Sequence, residues 1–153
     1  MKKVVKNKIS KPLIGRTDSL DFPEWGLTNV RAKIDTGAYT SAIHCTQIKL
    51  LKNNKLSFDL PAQKGQKKQR FVAEEFELKS VKNSFGQAEL RYVVKTLVVV
   101  FGKTIKTEFS LADRTSMRFP VLLGRKFLRN RFLVDVTLEN LSLLQKQRPL
   151  TKT

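Results

Sequence analysis

Val30–His44 reads Val-Arg-Ala-Lys-Ile-Asp-Thr-Gly-Ala-Tyr-Thr-Ser-Ala-Ile-His. Its opening alternates: Val30, Ala32 and Ile34 are apolar, Arg31 and Lys33 charged. That period of two predicts a half-buried strand. The strand runs into Asp35-Thr36-Gly37-Ala38, residue types that favour a turn because an Asp side chain bonds its own backbone two residues on. A carboxylate is thereby set at a strand end, followed by the small residues Thr40, Ser41 and Ala42. A second segment, Val121-Leu122-Leu123-Gly124-Arg125, is a short apolar strand that ends on glycine.

Outward from these two segments the pattern stays mostly β. Phe71 to Val81 and Glu89 to Phe101 read as two long strands, with Asn83-Ser84-Phe85-Gly86 as the turn of a hairpin. The unbroken apolar run Leu97–Phe101 predicts a strand buried on both faces. Gly102-Lys103 turns the chain into a strand over Thr104–Leu111. Arg125 to Asn130 is the best helix candidate, and Phe132 to Val136 returns as a strand. The expected fold is all-β with one short helix in the C-terminal half. It forms one domain over residues 12–145, with basic tails at 1–11 and 146–153.

The chain has 153 residues, 30 Lys+Arg against 13 Asp+Glu, and a formal net charge of +17. About 150 residues suffice to bury roughly 68–70% of the unfolded surface, so a true core is expected. No apolar run approaches the roughly 18 residues of a spanning helix. Met1–Lys11 carries five lysines and no apolar stretch, unlike a secretory signal, so a cytoplasmic protein is expected and no membrane partner. The charge points to a polyanionic partner. Nucleic acid is compatible but not required, since no zinc finger, basic-region helix or aromatic RNA-binding pattern is present. One Cys (Cys45) and one His (His44) cannot form an intrachain disulfide or supply the usual ligands of a zinc site. As strand neighbours they would also point to opposite faces. His44 is expected to be packed or hydrogen-bonded beside the turn, Cys45 to be a small buried hydrophobe, and Trp25 a packed anchor. Asp113 and Asp135 read as structural acids. The phosphate-binding pattern G-x-x-x-x-G-K-[ST] is absent. No metal and no cofactor is expected.

A strand ending in Asp-Thr-Gly, a small-residue turn, and a later apolar-apolar-Gly segment before a short helix together resemble the retropepsin-like aspartic proteases. Three blocks extend the likeness: Ala32–His44, Ser84–Val94 (SFGQAELRYVV) and Met117–Asp135 (MRFPVLLGRKFLRNRFLVD). They resemble a bacterial branch that carries the name ATP-dependent zinc protease and is often found beside a RimK-type glutamate ligase. The resemblance implies a closed β-barrel and an aspartic-type peptidase with Asp35 as catalytic carboxylate. It implies Thr36, Gly37, Ala38, Thr40 and Ser41 as the active-site loop, and Leu122, Leu123 and Gly124 as the strand beneath it. With one Asp-Thr-Gly per chain, it also implies a homodimer. A flap hairpin over residues 80–88 is expected by topology. Retroviral relatives pair the arginine after the apolar-apolar-Gly strand with an acid soon after Asp-Thr-Gly-Ala. Here Tyr39 and Thr40 stand at those places, which leaves the partner of Arg125 open. The ligase link suggests an acidic peptide or glutamate-tailed protein as substrate, for which Arg91, Tyr92, Arg118 and Arg125 are candidate contacts. A binding module on ribosome or RNA, and a metal-dependent protease, are the alternatives.

Overall fold

The computed structural model describes residues 11–61, 67–83, 85–113 and 118–148. Among these described residues there are twelve strands: β1 Leu13–Ile14, β2 Thr17–Phe22, β3 Leu27–Ile34, β4 Ser41–His44, β5 Thr46–Leu50, β6 Leu56–Leu60, β7 Gln69–Ala73, β8 Glu77–Lys82, β9 Ala88–Val100, β10 Lys103–Ala112, β11 Val121–Leu123 and β12 Leu133–Val134. Two helices, α1 Arg125–Leu128 and α2 Leu141–Gln147, and a 3-10 turn at Pro23–Trp25 complete the fold.

Neighbouring strands follow the order β10-β4-β11-β3-β2-β9, and β9 pairs back onto β10. Six strands therefore close into a barrel, which leaves no open edge among them. The long β9 serves twice. Its C-terminal half joins the barrel through Val93–Val100 against β10, while its N-terminal half pairs with β8 and projects as a hairpin. The alternation read in β3 is realised: Val30, Ala32 and Ile34 are buried while Arg31 and Lys33 are exposed. With Leu20, Phe22, Ile43, Val98, Phe109, Val121 and Leu123 they form the barrel core.

The run Phe71–Val81 is not one strand. Gln69–Ala73 pairs with β6 in a separate sheet ordered β5-β6-β7, whereas Glu77–Lys82 pairs with β9. Exposed Glu74 and Glu75 interrupt the alternation. The aromatics on either side go to different partners: Phe71 packs on Trp25 and Phe58, and Phe76 on Tyr92. Trp25 is the anchor expected, stacked on Phe22 at 5.4 Å and edge-on to Phe58 at 5.8 Å, so it ties the small sheet to the barrel. In the run Leu97–Phe101 only Val98 and Val100 are fully inside; the others are half-buried, because a barrel strand has one core face.

The β8–β9 hairpin forms around the expected turn. The Asn83 side-chain oxygen accepts from the Phe85 and Gln87 N–H groups, and Gly86 adopts a φ of 78° that other residues resist. Ser84 lies outside the described residues, as do residues 1–10 of the N-terminal tail and residues 114–116 of the turn expected after Asp113. Asp135 is indeed structural, accepting from the Thr137 N–H and hydroxyl. Phe132–Val136 contributes only Leu133–Val134 as strand, paired in parallel with β1.

The second helix, α2, was not expected. It takes in Lys146 and Gln147, where a tail was expected to begin. Its N-terminus is capped from a distance. The Asp18 carboxylate, 1% exposed, accepts from the N–H groups of Ser142 and Leu143, and also from Ser19. Replacing Asp18 with alanine would strand three N–H groups in a buried setting. We expect a loss of about 2–3 kcal/mol in urea unfolding, because unmade hydrogen bonds cost more than made ones contribute. A loss below about 0.5 kcal/mol would show that α2 does not depend on this cap.

Candidate active site

β3 ends at Ile34 and β4 begins at Ser41, so residues 35–40 form the loop between them. β11 lies between the two strands, parallel to β3 and antiparallel to β4. Its end fixes the loop at successive points. The Asp35 N–H donates to the Leu123 carbonyl at 2.9 Å. The Arg125 and Lys126 N–H groups donate to the Ala38 and Tyr39 carbonyls at 2.8 and 2.9 Å. The Gly124 N–H donates to the buried Ser41 hydroxyl at 3.1 Å. Gly124 has to be glycine: a Cβ there would lie 2.5 Å from the Thr40 carbonyl oxygen.

Within the loop, Asp35 is half-buried, and its Oδ1 accepts from the Gly37 N–H at 3.0 Å. The turn thus orients its own carboxylate. Thr36 and Gly37 are exposed. The Arg125 guanidinium donates to the Thr36 carbonyl at 2.9 Å and lies 5.7 Å from the Tyr39 ring centroid. This answers the question left by the missing acid: Arg125 braces the loop through backbone and ring instead.

The other proposed contacts are dispersed. Arg91 pairs with Glu89 and shares its strand face with Val93. Tyr92 belongs to the opposite face and packs edge-on against Phe76 at 5.7 Å. Arg118 lies 5.9 Å from the Phe119 ring, which Arg31 also approaches. His44 Nδ1 is 3.7 Å from an Asp113 carboxylate oxygen, and Cys45 is fully buried, with burial pushing its thiol well up. Among the described residues, no group of three or more His, Cys, Asp or Glu is placed to hold a metal ion.

A cleft of about 350 Å³ lies beside the loop, with Thr40 and Ser41 on its wall. Lys79 of β8, Lys95 of β9, Lys106 of β10, and Lys126 and Arg131 around α1 bring five cations to it. Glu108 of β10 is its one acid, 15% exposed, with Lys79 at 3.0 Å and Lys126 at 3.5 Å. Burial raises the Glu108 carboxyl, but the Lys79 hydrogen bond and the Lys126 charge outweigh burial and hold it below its ordinary value. Sequence reasoning missed this cluster, since its members are far apart along the chain.

Barrel, hairpin and clamped Asp-Thr-Gly loop together define a retropepsin-like protein. The chain belongs to the RimB-like family: the family model described as "Retropepsin-like aspartic endopeptidase RimB" matches residues 13–144. A probable alpha-L-glutamate ligase of Shewanella pealeana is 34% identical over 131 residues, covering 82% of this chain and 29% of that protein. One from Desulfotalea psychrophila is 31% identical over 139 residues, 86% and 29% respectively. The chain thus spans less than a third of the length of these relatives. A crystal structure of a Legionella pneumophila protein of unknown function superposes with a TM-score of 0.71 at 26% identity, covering 87% of this chain and 99% of that one.

Two outcomes follow. Gly124→Ala should destabilise the protein by about 1–3 kcal/mol, as overpacking against backbone does, and thermal unfolding at the wild-type temperature would contradict the clamp. Glu108, with its carboxyl held below the ordinary value near 4.5, contributes stability that is full above that value and drains away as pH falls through the lower folded value. Wild type should therefore lose stability faster than Glu108→Gln between about pH 5 and about pH 3 in acid titrations followed by circular dichroism. Parallel curves would remove Glu108 from the ion-pair account.

Proposed function

We propose that this chain is a cytoplasmic aspartic-type peptidase, active as a homodimer, that trims acidic, glutamate-rich peptide tails. The observation that carries the reading is the single Asp35-Thr36-Gly37 loop, its carboxylate oriented by the Gly37 N–H and its backbone clamped by β11. One such loop supplies one carboxylate, and the chemistry needs two, so the second comes from an identical chain across a twofold axis. Two carboxylates a few ångströms apart cannot both stay charged cheaply and hold one proton between them. The ionised member takes a proton from water, whose oxygen attacks the scissile carbonyl carbon. The protonated member donates to the carbonyl oxygen. As the tetrahedral intermediate collapses, the C–N bond breaks and the leaving nitrogen takes up a proton. Arg125 acts by holding the Thr36 carbonyl rather than by touching substrate.

Two observations support an acidic substrate. The net charge of +17 attracts polyanions, and five cations line the cleft beside the loop. Relatives named as glutamate ligases contain a segment similar to this chain, which fits a substrate made by adding glutamate.

The test is mass spectrometry of a glutamate-tailed peptide incubated with wild type and with Asp35→Asn, each with and without a chelator. The wild type should shorten the tail, and the variant should be slower by at least about a thousandfold. Shortening by both would show that Asp35 is not the catalyst. Shortening by the wild type only without chelator would assign the reaction to a metal, and none by either would leave a binding module.

A further inference from the structure

The carboxylate inside the basic cleft shows what the cleft is built to hold. Glu108 sits on β10 with Lys79 and Lys126 in ion-pair contact. The register of β9 on β10 sets Lys95 directly opposite it. Lys106, two residues earlier, shares its strand face. Four lysines therefore surround Glu108; Lys79 also meets Glu77 at 3.5 Å, while Lys95 and Lys106 are exposed, form no ion pair among the described residues, and border an adjoining cavity that Glu24, Glu74, Glu75 and Glu77 line. On the side of the Asp35 loop the cleft presents five cations against Glu108 alone, and an anion entering from that side relieves their mutual repulsion.

We infer that this cleft is a subsite for a side-chain carboxylate of a bound acidic peptide, with Lys95 and Lys106 as the residues that read it. The inference rests on the acidic-substrate reading above and goes beyond it by naming the specificity residues. Glu108 keeps Lys79 and Lys126 partly neutralised and so tunes how strongly the site attracts anions. Peptide side chains suit the cleft better than nucleic acid. Its volume is about 350 Å³ and Phe127 is the one aromatic ring on its wall, whereas single-stranded nucleic acid is held by stacking on successive aromatics.

The experiment measures fluorescence anisotropy of labelled hexaglutamate and hexaglutamine on the Asp35→Asn full chain at low salt, with thermal unfolding checked for each further variant. Hexaglutamate should bind more tightly than hexaglutamine. Lys95→Gln with Lys106→Gln should weaken hexaglutamate by about tenfold, and Glu108→Gln should tighten it by about threefold. Removing the same charge elsewhere, by Lys52→Gln with Lys103→Gln, should change it less than about twofold, as screened distant charges do. Equal weakening by the two lysine pairs would overturn the subsite in favour of a general charge effect. So would weakening by Glu108→Gln in a protein that unfolds normally, or displacement by an RNA hexamer at lower concentration than by unlabelled hexaglutamate. The two readings fail separately. Absent cleavage with this binding pattern intact refutes the catalytic reading alone, while Asp35-dependent cleavage without the pattern refutes the subsite alone.

Discussion

The insertion of β11 between β3 and β4 is the constraint on which the rest depends. A loop of six residues that leaves one strand and enters a non-adjacent one has little to hold it. Here β11 supplies a backbone partner for Asp35, the first turn of α1 supplies partners for Ala38 and Tyr39, and Gly124 between them gives a buried N–H to Ser41. The approach is so close that only glycine fits at Gly124. The carboxylate is thereby aimed by backbone geometry rather than by a mobile side-chain network, which suits a group that must stay fixed while protons move around it.

Barrel closure carries this constraint outward. β9 must pair with β2 and β10 to close the ring, and its length beyond the ring is what makes the hairpin with β8. The same strand therefore anchors the core through Val94, Val98 and Val100 and sets Lys95 over the cleft. The small sheet β5-β6-β7 stands outside this logic. It is held to the barrel by the Trp25, Phe58 and Phe71 rings.

What was legible in the sequence follows from how local each cause is. The alternation of Val30–Ile34 and the Asp35-Thr36-Gly37 turn are local, and the family resemblance puts Leu122, Leu123 and Gly124 beneath the loop. The helix α2 was hidden because its cap is not local. Asn140 at its start makes no side-chain cap bond, and the capping carboxylate comes from Asp18, on β2. The division of Phe71–Val81 was hidden because two glutamates interrupt an otherwise uniform β pattern, and only tertiary packing decides which aromatic goes where. The cleft lysines were hidden for a third reason. In a chain with 30 cations no lysine stands out, and strand register alone brings Lys79, Lys95 and Lys106 to one face.

The clustering has an energetic cost that the rest of the fold must carry. On the loop side of the cleft, five cations against Glu108 leave a surplus of positive charge in the folded state, while Glu24, Glu74, Glu75 and Glu77 lie on the far side of Lys95 and Lys106. Lys95 opposite Glu108 is the opposite-charge cross-strand pair that favours the sheet, whereas Lys106, beside Glu108, faces Leu97 across the ladder. Conflict between local rule and global fold tends to mark a functional surface, because there the missing partner is a ligand. In this reading part of the binding energy for an acidic tail comes from the repulsion among cations that rigid strands hold on the loop side of the cleft. Glu108 sets its size: one carboxylate opposite Lys95 lets the strands pair, and five cations still face the cleft beside the loop.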